Sequence, residues 1–179
     1  MKILLFANGS PGVIAAEFLQ HHIGIEILYV TTTTWNLVKI RQLGVNYHIF
    51  NIEIEDEMLI AENFDPQIVI SVGWKYIFKR NFVNKFECYN FHPSLLPLYR
   101  GENSIEKQLV NGENVGGITM HRIDERIDTG PIYKQKEITI NANDTIETII
   151  FKCNILMIEI LKDFLNEYPK IKCYKQMDN

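Results

Sequence analysis

Apolar residues fall along this chain in short unbroken blocks, separated by stretches in which they recur at helical intervals. The first block, residues 2–7 (KILLFA), meets the turn NGSPG, after which Val13, Ala16, Phe18 and Leu19 repeat at near-helical spacing. Two further blocks, IEILYV (25–30) and QIVISV (67–72), show no polar alternation and read as strands buried on both faces. Helical pieces around 35–43 and 55–63 lie between them. Short apolar strands alternating with helices predict a doubly wound α/β fold with a mostly parallel sheet.

The rhythm changes after residue 85. FECYNF (86–91) reads as another strand, and NSIEKQLVNG (103–112) as a helix ended by Gly112. GGITMHRI and GPIYKQKEITI read as two late strands separated only by the turn-rich DERIDTG, which predicts antiparallel neighbours at the edge of the sheet. A final helix over about 143–167, capped by Asn143 or Asp144, carries apolar residues round most of its circumference and is expected to lie buried across the sheet. With no repeat and no linker, residues 1–179 are expected to form one domain, without a separate C-terminal one.

Composition narrows the function. Hydrophobic residues make up 46% and charged residues 22%, as in ordinary globular proteins. The 18 basic residues are scattered and outnumbered by 22 acidic ones, for a net charge of -4, which argues against a nucleic-acid partner. Cys88, Cys153 and Cys173 are widely spaced and have no CxxC or HExxH-like companions, so neither a metal site nor a disulfide framework is expected. The N-terminal apolar run is too short for a signal peptide or a membrane span, and the expected location is cytoplasmic.

Chemistry concentrates in NFHPSLLPLYRG (90–101). Alternation along a strand puts Asn90 and His92 on one side, and Pro93 ends the strand directly after them. Both polar side chains then stand at the carboxyl end of a strand, where open α/β sheets bind ligands. An amide N–H can stabilise an oxyanion and an imidazole can move a proton, a pairing suited to acyl transfer. The imidazole needs an orienting partner, and Asp124, Glu125 and Asp128 in DERIDTG are the candidates.

The block Asn-x-His-Pro-Ser-Leu-Leu-Pro, the YRG after it and GGITMHRIDERIDTGPI together resemble the folate-dependent formyltransferases. That family includes glycinamide ribonucleotide formyltransferase, the catalytic domain of methionyl-tRNA formyltransferase and sugar N-formyltransferases. The resemblance runs over roughly residues 1–140 and is specific in 90–101 and 116–132. It implies a Rossmann-like domain using 10-formyltetrahydrofolate, with Asn90, His92 and Asp128 as the catalytic set. The implied step is attack of an unprotonated primary amine on the formyl carbon, with Asn90 and a protonated His92 stabilising the oxyanion. Asp128, before Thr-Gly-Pro, helps take the amine proton, and is favoured on that ground over Asp124.

The resemblance also implies a pteridine pocket from the loop SVGWKYIF, drawing on Gly73, Trp74, Tyr76, Ile77 and Phe78, with Asp124 grouped on the donor side. On the acceptor side stand Asn8, Gly9 and Ser10 of the first turn, together with Ser94, Arg100 and His121. Arg100 before Gly101 resembles the sugar and tRNA branches more than the purine branch. The short stretch after residue 140 argues against a tRNA substrate. The expected acceptor is therefore a small molecule, a nucleotide-linked amino sugar, with glycinamide ribonucleotide as the alternative enzyme substrate. A folate- or nucleotide-binding protein without turnover is the alternative of another class. Neither membrane nor nucleic acid is expected as a partner, and a homodimer is compatible with the family.

Overall fold

The computed structural model describes residues 1–177 apart from 35, 52 and 54. It divides into two compact units, Met1–Tyr89 and Asn90–Asn179, with the division falling inside one strand. In chain order the elements of the first unit are β1 (Lys2–Ala7), α1 (Gly9–Gln20), β2 (Glu26–Thr31), α2 (Leu37–Gln42), β3 (Asn46–Ile49), α3 (Glu57–Phe64), β4 (Ile68–Val72) and α4 (Arg80–Lys85). Strand β5 (Cys88–His92) is followed by α5 (Ser104–Val110), β6 (Val115–Arg122), β7 (Ile132–Thr139) and α6 (Ile146–Glu167). The seven strands form one sheet in the order β3-β2-β1-β4-β5-β6-β7. The order turns back on itself at β1 and β4, which makes the sheet doubly wound.

In the first unit, β1 pairs in parallel with β2 and with β4, and β2 with β3. Ile3 through Ala7 and Ile68 through Ile70 are wholly buried, the reason these strands read as unbroken apolar runs. Asp56 caps α3 by accepting from the Met58 N–H at 2.9 Å. Two elements had no clear sequence signal. Strand β3, NYHI, is only partly buried and carries mixed polarity, while α4 is a short helix with Phe82 and Val83 as its buried residues. Trp35, at the start of the helix expected over 35–43, lies outside the described residues.

In the second unit, β6 and β7 pair antiparallel, as the short connecting loop implies. The register slips between Met120, opposite Lys134, and His121, opposite Ile132. Such a bulge re-aims the side chain beside it, and here that side chain is His121. Helix α6 is capped by Thr145 rather than by Asn143 or Asp144. The Thr145 hydroxyl accepts from the Thr148 N–H, and the Thr148 hydroxyl accepts from the Thr145 N–H, forming a reciprocal capping box. Asp144 instead accepts from Asn141 N–H and Thr148 Oγ1 just ahead of the cap.

The helix is not buried all round. Ile149, Cys153, Met157, Ile160, Leu161 and Phe164 form its buried stripe, with Phe164 edge-on to Tyr133 at 5.3 Å, whereas Phe151 and Ile155 are exposed. Burial pushes the Cys153 thiol up to about 12, so it stays protonated and serves packing. Among the described residues no helix is long and apolar enough to cross a membrane.

Candidate active site

Strand β5 ends in Asn90 and His92, and their side chains meet the same carboxylate, as strand alternation requires of residues two apart. Asn90 Nδ2 lies 3.4 Å from Asp128 Oδ1, and His92 Nδ1 lies 3.3 Å from Asp128 Oδ2. His121, re-aimed by the bulge, brings Nε2 to 3.4 Å from Asp128 Oδ1 and 3.3 Å from Asn90 Nδ2. Its Nδ1 faces the Arg122 carbonyl at 3.0 Å. The Gly101 N–H donates to Asp128 Oδ2 at 2.9 Å. One carboxylate is thus the hub of two imidazoles, an amide and a backbone N–H.

Backbone geometry aims that hub. Asp128 adopts a left-handed conformation with φ 51°, uncommon for a residue with a side chain. Just beyond it, a Cβ on Gly130 would lie 1.8 Å from the Arg122 carbonyl oxygen, so only glycine lets the loop pass there. Asp124 takes no part in the hub. It accepts from Arg126 N–H at 3.1 Å and Thr129 Oγ1 at 2.8 Å, stabilising the loop from within.

The electrostatics follow from burial and charge. Burial pushes the Asp128 carboxyl up, but the hydrogen bond with His121, the charge of His92 and the Gly101 N–H outweigh it and hold the carboxyl at about 2. Burial lowers the His92 pKa more than the Asp128 charge and the Tyr99 carbonyl raise it, so the net direction is down. His92 Nε2 is 2.7 Å from the Tyr99 carbonyl, an acceptor, and the neutral ring therefore carries its proton on Nε2. Its Nδ1 lone pair then faces a carboxylate oxygen. One incoming proton converts that acceptor–acceptor contact into a charge-assisted hydrogen bond, so the pair is built to receive one.

Other expected site residues hold the frame. Ser94 is wholly buried and donates to the Leu98 carbonyl at 2.6 Å, while its own carbonyl accepts from Thr119 Oγ1 at 2.6 Å, so it braces the loop. Arg100 sends Nε and Nη2 to Gln176 Oε1, at 3.1 and 2.6 Å. Asn8 Oδ1 accepts from Thr31 Oγ1 at 2.8 Å and from Thr32 N–H at 3.2 Å, so this side chain ties β1 to β2. Gly9 is half-buried, Ser10 is exposed, and no side chain caps α1.

In the loop after β4, Gly73 has φ 62° and a Cβ there would lie 2.9 Å from the Asn8 carbonyl oxygen. The glycine is thus required by the protein's own backbone, before any ligand arrives. Phe78 stacks on Phe82 at 5.0 Å, and Trp74 meets Phe6 edge-on at 5.0 Å, so both are anchored in the core of the first unit. Tyr76 and Ile77 present exposed side chains. The Tyr99 carbonyl, the Gly101 N–H and Gln176 were not anticipated as site elements, because backbone groups and a lone glutamine leave no motif. Among the described residues, no group of three or more His, Cys, Asp and Glu side chains is arranged to hold a metal ion.

A doubly wound sheet whose strand end presents an amide and an imidazole to one loop carboxylate defines an α/β protein with its polar groups gathered at the carboxyl ends of the strands, where such sheets bind ligands. Residues 49–162 match the formyl transferase family, and the chain belongs to that family. It is 42% identical over 110 residues to a methionyl-tRNA formyltransferase of Thermosipho africanus, covering 62% of this chain and 36% of that protein. It is likewise 42% identical over 85 residues to a GDP-perosamine N-formyltransferase of Brucella melitensis, covering 46% and 33%. The chain thus spans about a third of the length of these curated relatives. In fold it resembles phosphoribosylglycinamide formyltransferase from Bacillus halodurans, with a TM-score of 0.81, 23% identity and coverage of 93% of this chain and 96% of that one.

Proposed function

We propose that this protein transfers a formyl group from 10-formyltetrahydrofolate to the primary amine of a small substrate, a nucleotide-linked amino sugar. The observation that carries the reading is the convergence of Asn90, His92 and His121 on the Asp128 carboxylate at 3.3 to 3.4 Å. The neutral amine attacks the formyl carbon, and the Asn90 amide N–H donates to the oxyanion that forms. Its present contacts, at 3.3 and 3.4 Å, are long enough to yield to a full negative charge.

The attacking nitrogen becomes an acidic ammonium. Its proton passes by way of Asp128, directly or through water, to Nδ1 of the neutral His92, which leaves an imidazolium–carboxylate pair. Collapse of the intermediate expels the folate nitrogen, which takes up a proton, so no proton is gained or lost overall. The pteridine is assigned to the loop from Gly73 to Phe78, with Tyr76 and Ile77 as its exposed side chains.

The 42% identity to a GDP-perosamine N-formyltransferase supports an amino sugar and is matched by the identity to a methionyl-tRNA formyltransferase; the scattered basic residues under a net charge of -4 favour the sugar over the tRNA. Glycinamide ribonucleotide is the second reading, supported by the fold similarity to the Bacillus halodurans protein. The test is a turnover assay with 10-formyltetrahydrofolate and a panel of amino-sugar nucleotides, glycinamide ribonucleotide and methionyl-tRNA. Formylation of a sugar nucleotide alone supports the reading. Formylation of either other acceptor alone reassigns the substrate, and turnover of none removes the proposed activity.

A further inference from the structure

We propose that Gln176, which lies outside the stretch matching the family, is a positioning residue that holds the backbone of the Asp128 turn and so aims its carboxylate. The role rests on the reading of Asp128 as a proton acceptor. After α6 the chain returns to the edge of β7. The Tyr174 backbone pairs antiparallel with Ile132 through hydrogen bonds of 2.8 and 2.9 Å, and the Tyr174 hydroxyl donates to Gln135 Oε1 at 3.3 Å. Two residues further on, Gln176 is 5% exposed.

Every strong hydrogen-bonding position of its amide is taken. Oε1 accepts from Arg100 Nε and Nη2, at 3.1 and 2.6 Å, and Nε2 donates to the carbonyls of Asp128 and Gly130, each at 2.8 Å. A left-handed residue with a side chain persists only where its surroundings over-determine it. Here Gln176 grips the turn at Asp128 and again at Gly130, while Gly101 fixes the carboxylate. The same amide links that turn to Arg100, so the loop after β5 and the loop before β7 are held by one side chain. Misplacement of a reacting group by about 1 Å is enough to cost about a hundredfold in rate, so a group that fixes the turn acts on turnover without touching substrate.

The test compares wild type with Gln176→Leu and Gln176→Glu. The glutamate keeps an oxygen for Arg100 and removes the donor to the two carbonyls, so it releases the turn while leaving the tail pinned. Both variants are expected to lower kcat by about tenfold or more, with KM for donor and acceptor within about twofold. By carbon-13 NMR, the Asp128 carboxyl, held at about 2, should titrate upward toward its ordinary 3.8 in both variants. Wild-type kcat and an unmoved Asp128 titration in Gln176→Glu would overturn the proposal and leave Gln176 a packing residue. Should Gln176→Leu fail to fold, Gln176→Glu decides. Should wild type turn over no acceptor, the formyltransfer reading fails by itself and the NMR titration alone decides the role of Gln176.

Discussion

Replacing Asp128 with Asn removes the one charge on which Asn90, His92, His121 and the Gly101 N–H converge. The carboxyl is held at about 2 against an ordinary 3.8. That difference corresponds to about 2 kcal/mol by which ionisation of Asp128 favours the folded chain at neutral pH. Because the folded value lies below the unfolded one, the contribution is complete above the unfolded value and disappears as pH falls through the folded one. At pH 3 about half of it remains. An amide cannot ionise and lacks the contribution at every pH. It also offers a single oxygen, so that whichever of Gly101 N–H and Asn90 Nδ2 it serves, the other loses its acceptor. Urea unfolding followed by circular dichroism should place the variant about 2 kcal/mol below wild type at pH 7 and pH 5, with the gap about halved at pH 3. In a thermal scan at pH 7, the same gap corresponds to a Tm lowered by about 4–8 °C. Absence of a gap at pH 7, or a gap as large at pH 3 as at pH 7, would refute the assignment of Asp128 as the depressed carboxylate. Turnover by the same variant should fall by about a hundredfold or more.

Asn90→Ala should lower kcat by about a hundredfold while leaving the urea midpoint nearly unchanged, because the hydrogen bonds it loses, at 3.3 and 3.4 Å, are long ones. His92 should titrate below its ordinary 6.5, and further below in Asp128→Asn, since the Asp128 charge is what raises it; imidazole NMR titration of both proteins checks the order. Activity should accordingly fall as pH drops through the His92 value, because a pair already protonated cannot take the amine proton. Gly130→Ala should destabilise by about 3 kcal/mol or fail to fold, its Cβ meeting the Arg122 carbonyl oxygen at 1.8 Å; an unchanged midpoint would show that the loop can move aside.

Much of this architecture is legible in the chain itself. Strands buried on both faces announce themselves as apolar runs, so β1, β2 and β4 are recognisable without coordinates, and the seven residues of DERIDTG are too few for a parallel crossover. Strand β3 is not recognisable, because NYHI sits partly buried beside β2 with no apolar run or clean alternation. Asn143 and Asp144 are the expected caps of α6, and only the reciprocal Thr145–Thr148 bonds show that the cap is Thr145 instead. Asn90 and His92 are two apart on one strand, so their common side is a local property that alternation dictates. Which acid meets them is not local. Asp124 and Asp128 occupy the same loop, and the left-handed backbone at Asp128 with the Gly130 passage under Arg122 turns one toward the imidazole and leaves the other to brace the loop. The remaining parts of the site are backbone groups at Tyr99 and Gly101 and one amide at Gln176, far along the chain. Periodicity and motif spacing register side chains that are near in sequence, whereas a carbonyl, an N–H and a distant glutamine acquire meaning only when the folded chain brings the first to His92 and the other two to the Asp128 turn.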